Sequence, residues 1–118
     1  MKLTILSDLH IDINRNYNFS NLKDQEFVII AGDIAGNPLH VKSFIENNIS
    51  RGLFCEGNHL NYSKSGQYQI DFRQGAERWL RSEFKDKPVK YLENDIYEHE
   101  DIIFIGCTLW TDFCLYGE

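Results

Sequence analysis

Three short apolar runs occupy the first half of the chain, and each of them stops abruptly at a polar turn. They are Leu3–Leu6, Phe27–Ala31 and Leu53–Cys55. Continuous apolar runs of this length, bounded by turn signals, are typical of strands that are buried on both faces of a parallel sheet. The pattern therefore predicts three strands whose carboxyl ends all lead into polar loops.

Two other segments carry apolar residues at helical spacing. The first runs from about Pro38 to Asn48 and has its proline near the start, where a helix tolerates it best. The second runs from about Tyr68 to Phe84, and Pro88 closes it. These segments predict two helices that cover the strands.

The last third of the chain consists of short β-type runs separated by polar turns. Val89–Leu92, Ile96-Tyr97 and Ile102–Ile105 follow one another without a helical segment between them, which predicts a meander or hairpin. Because helices alternate with strands early and strands follow strands late, we predict an α/β fold with a mixed β-sheet flanked by helices. A chain of 118 residues has room for one domain.

Charge and composition restrict the partners and the location. The net charge is −6, and a negative surface repels nucleic acid and anionic lipid, so nucleic acid is not favoured. A small phosphate compound is not excluded, because a bound dication reverses the local field. The N-terminus has no long apolar run, so neither a signal peptide nor a membrane span is predicted. None of the three cysteines lies in a CxxC pair, and we expect reduced thiols in the cytoplasm.

The polar turns after the three strands carry candidate metal ligands. Asp8 and His10 form Asp-x-His, and side chains two residues apart in an extended chain project to the same side, so both can reach one cation. Asp33 directly follows a glycine, and aspartate is a common bridging ligand for hard cations. In the third turn, Gly57-Asn58-His59, an amide oxygen can complete a metal shell while the imidazole stays available for proton transfer.

Asp-x-His and Gly-Asp alone are no more than ordinary polar turns, whereas Gly57-Asn58-His59 is more specific. Together they appear in order, each after an apolar run and about one βα unit apart. The set Asp-x-His, Gly-Asp and Gly-Asn-His resembles the first three motifs of the calcineurin-like metallophosphoesterase superfamily. The segment GCTLWTDF at 106–113 further resembles a segment common in the bacterial and phage branches of that superfamily.

The resemblance implies a metal-dependent phosphoric ester hydrolase with two divalent ions, Mn, Fe or Zn. By that resemblance, Asp8 and His10 would bind the first metal, Asp33 would bridge both, and Asn58 would bind the second. His59 would not be a ligand; it would stabilise the phosphoryl oxygens or protonate the leaving group. The metals would polarise the phosphate and activate a bridging water. The implied substrate is a small phosphate ester or a nucleotide.

The sequence also departs from the family pattern. Leu60 stands where an acidic residue usually follows the histidine, so a group that would orient that histidine is missing. The later Gly-His and Gly-His-x-His motifs, which supply three further ligands, are absent. His40 and His99 stand in other contexts, and we predict them on an exposed helix face and in a solvated turn. Residues 1–118 are therefore identified as the N-terminal portion of such a domain, with a weakly occupied second metal site.

The family has a two-sheet αββα sandwich, and this chain has strands for mainly half of it. One sheet face would then be exposed, and we expect copies of the chain to associate and cover it as a homo-oligomer. The missing ligands favour a second interpretation, a non-catalytic remnant that binds a cation or a protein partner. A third, a haloacid-dehalogenase or receiver-type domain, does not explain Gly57-Asn58-His59.

Overall fold

The computed structural model describes residues 1–62, 70–109 and 114–115. The strands and α-helices are β1 (Leu3–Leu6), β2 (Phe27–Ala31), α1 (Pro38–Asn48), β3 (Gly52–Cys55), α2 (Ile70–Phe84), β4 (Val89–Tyr91), β5 (Asp95–His99) and β6 (Ile102–Gly106). Short 3-10 helices lie at Ser20–Asp24 and Asn58–Asn61. The predicted start of the second helix at Tyr68 and the part of GCTLWTDF at 110–113 lie outside the described residues.

Four of these strands form one parallel sheet in the order β1-β2-β3-β4, and β5 pairs with β6 as a separate antiparallel hairpin. The α/β class is confirmed. The predicted meander is divided between the two sheets, since β4 pairs with β3 rather than with β5. The reason is α2, which connects β3 to β4 as a crossover and so makes them parallel neighbours.

The two α-helices cover one face of the parallel sheet. Asn37 caps the start of α1, where its side-chain oxygen accepts a hydrogen bond of 2.9 Å from the backbone N–H of Leu39, and Pro38 occupies the first turn, where its missing N–H costs nothing. Beneath the helices lies the larger apolar core, in which Ile30, Phe54 and Leu80 are almost fully buried. This packing holds the strand ends in fixed relative positions.

The hairpin covers part of the opposite face. Phe27 is fully buried there, and its ring stacks on Phe104 at 5.5 Å between centroids. His99 lies 4.9 Å from the same Phe27 ring, between ring centroids, so the prediction of a solvated turn at His99 was wrong, because β5 continues to that residue and turns its ring inward. The prediction for His40 is confirmed, since it is exposed on α1.

Apolar side chains remain exposed on this side of the molecule. Ile5 of β1 is 66% exposed, and on the outward face of the hairpin Ile96, Ile103 and Ile105 are 61%, 64% and 78% exposed. The register pairs Ile96 with Ile105, so they lie side by side. The sequence predicted one exposed face of the sheet. The hairpin covers the centre of that face, so most of the exposed apolar surface lies on the outward side of the hairpin.

Among the helices in the described ranges, none is long and apolar enough to cross a bilayer.

The three cysteines differ in their surroundings. Cys55 is partly buried at the end of β3, and burial raises the pKa of its thiol to about 11. This side chain therefore behaves as a neutral thiol at physiological pH.

Two glycines give opposite stability predictions. A Cβ on Gly52 would lie 1.9 Å from the backbone oxygen of Val28, the residue paired with it in the sheet, so Gly52→Ala is expected to lower the free energy of unfolding by about 3 kcal/mol. A Cβ on Gly75 in α2 meets nothing within 4 Å, so Gly75→Ala is expected to raise it by about 0.5–1 kcal/mol. Urea unfolding of both variants measures the difference, and equal midpoints would contradict the described register of β2 and β3.

Candidate metal centre

The parallel order brings the carboxyl ends of four strands to one edge of the sheet, where sites form in open α/β folds. An acidic residue follows each of these ends: Asp8 after β1, Asp33 after β2, Glu56 after β3 and Glu93 after β4. The short 3-10 helix that carries His59 begins two residues after the third of them. The parallel order of the strands therefore places these acidic and histidine side chains at the same edge of the sheet.

Asp33 connects the loops at this edge. Its backbone oxygen accepts a hydrogen bond of 3.0 Å from the N–H of His10, and its carboxylate oxygen Oδ1 accepts one of 3.1 Å from the N–H of His59. Asp33 is only 8% exposed. A single buried residue thus fixes the backbone of the two histidines that flank it.

The turn that carries His59 passes unusually close to Asp33. A Cβ on Gly57 would lie 2.1 Å from Asp33 Oδ1 and 2.7 Å from its backbone nitrogen. Any other residue at position 57 would push the turn away from the carboxylate. The glycine of the Gly-Asn-His motif is therefore needed because it has no side chain to clash with Asp33.

Three side chains form a compact cluster of metal-binding type. His10, Asp33 and His59 each offer one ligand atom, and these atoms all lie within 4.8 Å of one another. Ligand atoms about 2.0–2.2 Å from a shared ion lie about 3.3–3.6 Å apart in a tetrahedral site, so binding one ion would require the side chains to move together by about 1 Å. The imidazole rings of His10 and His59 are 4.4 Å apart between centroids, at 61°. Asp8 lies at the outer side, with its Oδ1 3.8 Å from His10 Nε2.

Backbone strain is concentrated in the same residues. Asp8, His10 and Asp33 have positive φ angles of 55°, 45° and 51°, a left-handed conformation that costs a residue with a Cβ about 1–2 kcal/mol. Such strain persists where the surroundings over-determine it, and it clusters at functional sites. Its occurrence at three neighbouring candidate ligands supports a functional role for this edge of the sheet.

Several buried polar atoms around the cluster have no hydrogen-bond partner among the described residues. They are His10 Nδ1, Asp12 Oδ1, both carboxylate oxygens of Glu56, and Asn61 Nδ2. Leaving such groups unsatisfied is costly, and an unpaired group in a native protein is often explained by a bound ion or water. All of them belong to the loops after β1 and β3. The carboxylate oxygens and the imidazole nitrogen among them fit a bound divalent cation, whereas Asn61 Nδ2 is a donor and fits a water.

Glu56 and Glu93 are buried acids that the sequence analysis did not single out. They are 5% and 2% exposed. Burial raises the pKa of Glu56 to about 8, and the negative charges of Asp33 and Glu93 add to the shift. The signal that could have found both is their position, because each is the first acidic residue after an apolar run. With that pKa Glu56 is mostly protonated at neutral pH, and a divalent cation bound at this edge would lower the pKa and favour the ionised carboxylate.

The predicted site residues thus fall into two groups. His10, Asp33 and His59 come together as one cluster, with Asp8 beside His10. Asn58 starts the short 3-10 helix and is partly buried, directly before His59. His59 lies at ligand-compatible distance although the family resemblance assigns it to proton transfer.

Comparisons with known proteins give little functional information. No family model matches the chain, and no solved structure matches it. An uncharacterized protein of Acanthamoeba polyphaga mimivirus is 29% identical over 127 aligned positions, which cover 93% of this chain and 44% of the relative. The chain therefore spans less than half the length of this relative, and the case for function rests on the site itself.

Proposed function

We propose that this chain carries the metal-binding part of a metal-dependent phosphoric ester hydrolase of the calcineurin-like metallophosphoesterase type. The observation that supports it best is the cluster of His10, Asp33 and His59 at the carboxyl edge of a parallel sheet. Mixed nitrogen and oxygen donors suit Mn, Fe or Zn better than Ca. His10, Asp33 and Asp8 would hold the first ion. Asp33 and Asn58 would hold the second, and with only two protein ligands its occupancy would be lower.

The bound ions and the protein side chains would have different roles in hydrolysis. Bound divalent ions would supply a polarised phosphoryl group and a water of lowered pKa. Asp33 holds the His59 backbone through a hydrogen bond of 3.1 Å, so the imidazole would stay at the site edge and protonate the leaving oxygen. The acidic partner that would orient this ring is replaced by Leu60. We therefore expect slower proton transfer than in a family member that retains the acid.

A cleft bordered by Asp8, though by none of the three cluster residues, favours a small substrate. It has a volume of about 390 Å³ and is lined by Asp8, Tyr17, Phe19 and Asn21 among others. The Tyr17 and Phe19 rings lie 4.7 Å apart between centroids, and they offer an apolar wall next to a candidate ligand. This volume lies within the range of small-molecule sites. A small phosphate ester or a nucleotide therefore fits better than a nucleic acid, which the net charge of −6 also disfavours.

A second candidate function is a non-catalytic cation-binding or interaction module. The outward isoleucines of the hairpin favour it, because Ile103 and Ile105 are 64% and 78% exposed. A second copy of the chain is the occupant we propose for this face, in line with the expected homo-oligomer. A cytoplasmic location is part of the same proposal, since free thiols at Cys55 and Cys107 are suited to a reducing compartment.

Metal binding gives the first test. We expect the purified chain to bind Mn²⁺ in isothermal titration calorimetry, and His10→Ala and Asp33→Ala to weaken the affinity at least tenfold, because each removes a ligand. His40→Ala is the matched control, since His40 is exposed on α1. Equal affinity in all four proteins would contradict the assignment of the site.

Turnover gives the second test and also resolves the role of His59. With Mn²⁺, hydrolysis of p-nitrophenyl phosphate and of bis-p-nitrophenyl phosphate is expected to disappear in Asp33→Ala. In His59→Gln it should fall about 100-fold, as expected for loss of a general acid, while Mn²⁺ affinity stays within threefold of wild type. If the affinity falls as far as in His10→Ala, His59 is a ligand. Metal binding without any turnover would support the non-catalytic alternative.

Self-association gives the third test. Sedimentation velocity of the wild-type chain is expected to show concentration-dependent association, and the double change Ile103→Lys and Ile105→Lys should shift it to monomer, because charge on an apolar interface is poorly solvated. Leu39→Lys is the matched control, since Leu39 is 62% exposed on the opposite, helical side. A wild-type monomer at every concentration would refute association through the hairpin.

A further inference from the structure

A partly buried hydrogen-bond network contacts the loop after β3 and includes none of the predicted site residues. Its centre is the carboxylate of Glu93, which is 2% exposed. Arg73 of α2 donates from Nη2 to Glu93 Oε1 at 3.2 Å. The backbone N–H of Thr108 is within 3.3 and 3.2 Å of the two oxygens, and the Thr108 hydroxyl lies 2.7 Å from Oε2. The carboxylate thus connects α2, the end of β4 and the segment after β6.

The same Thr108 hydroxyl reaches the loop that carries the site. Its Oγ1 lies 2.6 Å from the backbone oxygen of Glu56, which is 52 residues earlier in the chain. Glu56 directly precedes Gly57 and the short helix that carries His59. The hydroxyl has a single hydrogen, so it donates either to this carbonyl or to Glu93 Oε2, while the backbone N–H of Thr108 remains bonded to the Glu93 carboxylate. Donation to the carbonyl connects the Glu93 network to the first peptide of this turn.

The turn is consequently held at two points. At its start, the Glu56 carbonyl contacts Thr108. Two residues beyond Gly57, the N–H of His59 donates to Asp33 Oδ1 at 3.1 Å. Gly57 lies between these points, and a glycine has more backbone freedom than any other residue. A turn built around it needs external contacts to keep one conformation.

We propose that Arg73, Glu93 and Thr108 are positioning residues for the His59 turn. In this view they hold His59 through its backbone, which replaces part of the orientation that Leu60 cannot supply from its side chain. Arg73 and Thr108 hold the Glu93 carboxylate in one orientation, and charge-assisted hydrogen bonds of this kind are stronger than neutral ones. The inference that this arrangement serves catalysis rests on the proposed function. The inference that it fixes the turn does not.

Thr108 is the residue to change, because removing Arg73 or Glu93 would leave a charge buried without its partner and would disturb the whole fold. Thr108→Val keeps the shape and the backbone N–H but removes the hydroxyl. Thr108→Ser keeps the hydroxyl and serves as the rescue variant. Thr4→Val is the matched control, since the Thr4 hydroxyl donates to Gln25 Oε1 at 3.0 Å in a part-buried position outside the network.

The primary measurement is amide hydrogen exchange by NMR in the metal-free protein. In Thr108→Val the amide of His59 should exchange at least tenfold faster than in wild type, relative to core amides such as that of Ile30. Thr108→Ser should return it to within threefold of wild type, and Thr4→Val should leave it unchanged. If valine does not fit, Thr108→Ala makes the same removal and is measured in the same way.

The outcomes separate this inference from the proposed function. Unchanged exchange at His59, or acceleration shared equally by the core amides, overturns the positioning role. Turnover with Mn²⁺ should fall at least tenfold in Thr108→Val and recover in Thr108→Ser. If the wild-type chain neither binds Mn²⁺ nor turns over substrate but Thr108→Val still accelerates exchange at His59, the proposed function fails and the positioning of the turn stands.

Discussion

Two hydrogen bonds to Asp33 hold together the loops that carry the candidate ligands. One is to its backbone oxygen and the other is to its carboxylate. The backbone oxygen binds the loop after β1 through His10, and Oδ1 binds the loop after β3 through His59. Gly57 allows this second loop to come close enough for the bond. Because β2 lies between β1 and β3 in the sheet, a residue at its end is the one that can reach both neighbours. The central position of Asp33 among the candidate ligands is therefore a consequence of strand order.

Accumulated negative charge is the second constraint. Asp33, Glu56 and Glu93 are all nearly buried, and ionised groups in such positions need a partner. Glu93 has Arg73 and Thr108. The carboxylate of Glu56 has no hydrogen-bond partner among the described residues, and its pKa is raised to about 8. Protonation removes its charge at neutral pH, and a bound divalent cation would instead stabilise the ionised form.

Local sequence patterns predicted the helices, the strands and the candidate ligands in the turns. They did not predict which distant segments of the chain contact each other. The bounds of α1 follow from Asn37, Pro38 and the apolar spacing, all of which act within a few residues, and His10, Asp33 and His59 were found because each follows a strand. The pairing of β4 with β3, the stacking of His99 on Phe27 and the network around Glu93 were not predicted. Each of these joins residues that are far apart in the chain, and local periodicity contains no information on which distant segment lies alongside.

The site and the exposed apolar surface can be related through the hairpin. Its inner face buries Phe27 and packs Tyr97 and Phe104 against the sheet, and the segment after β6 places Thr108 at the Glu56 carbonyl. The hairpin therefore contributes both to the second core and to the position of the His59 turn. Contacts made on its outward isoleucines, by another copy or by other polypeptide, would act on the same rigid pair of strands. Because Thr108 follows β6 within two residues, a shift of the hairpin would also move the contact that holds the start of the His59 turn.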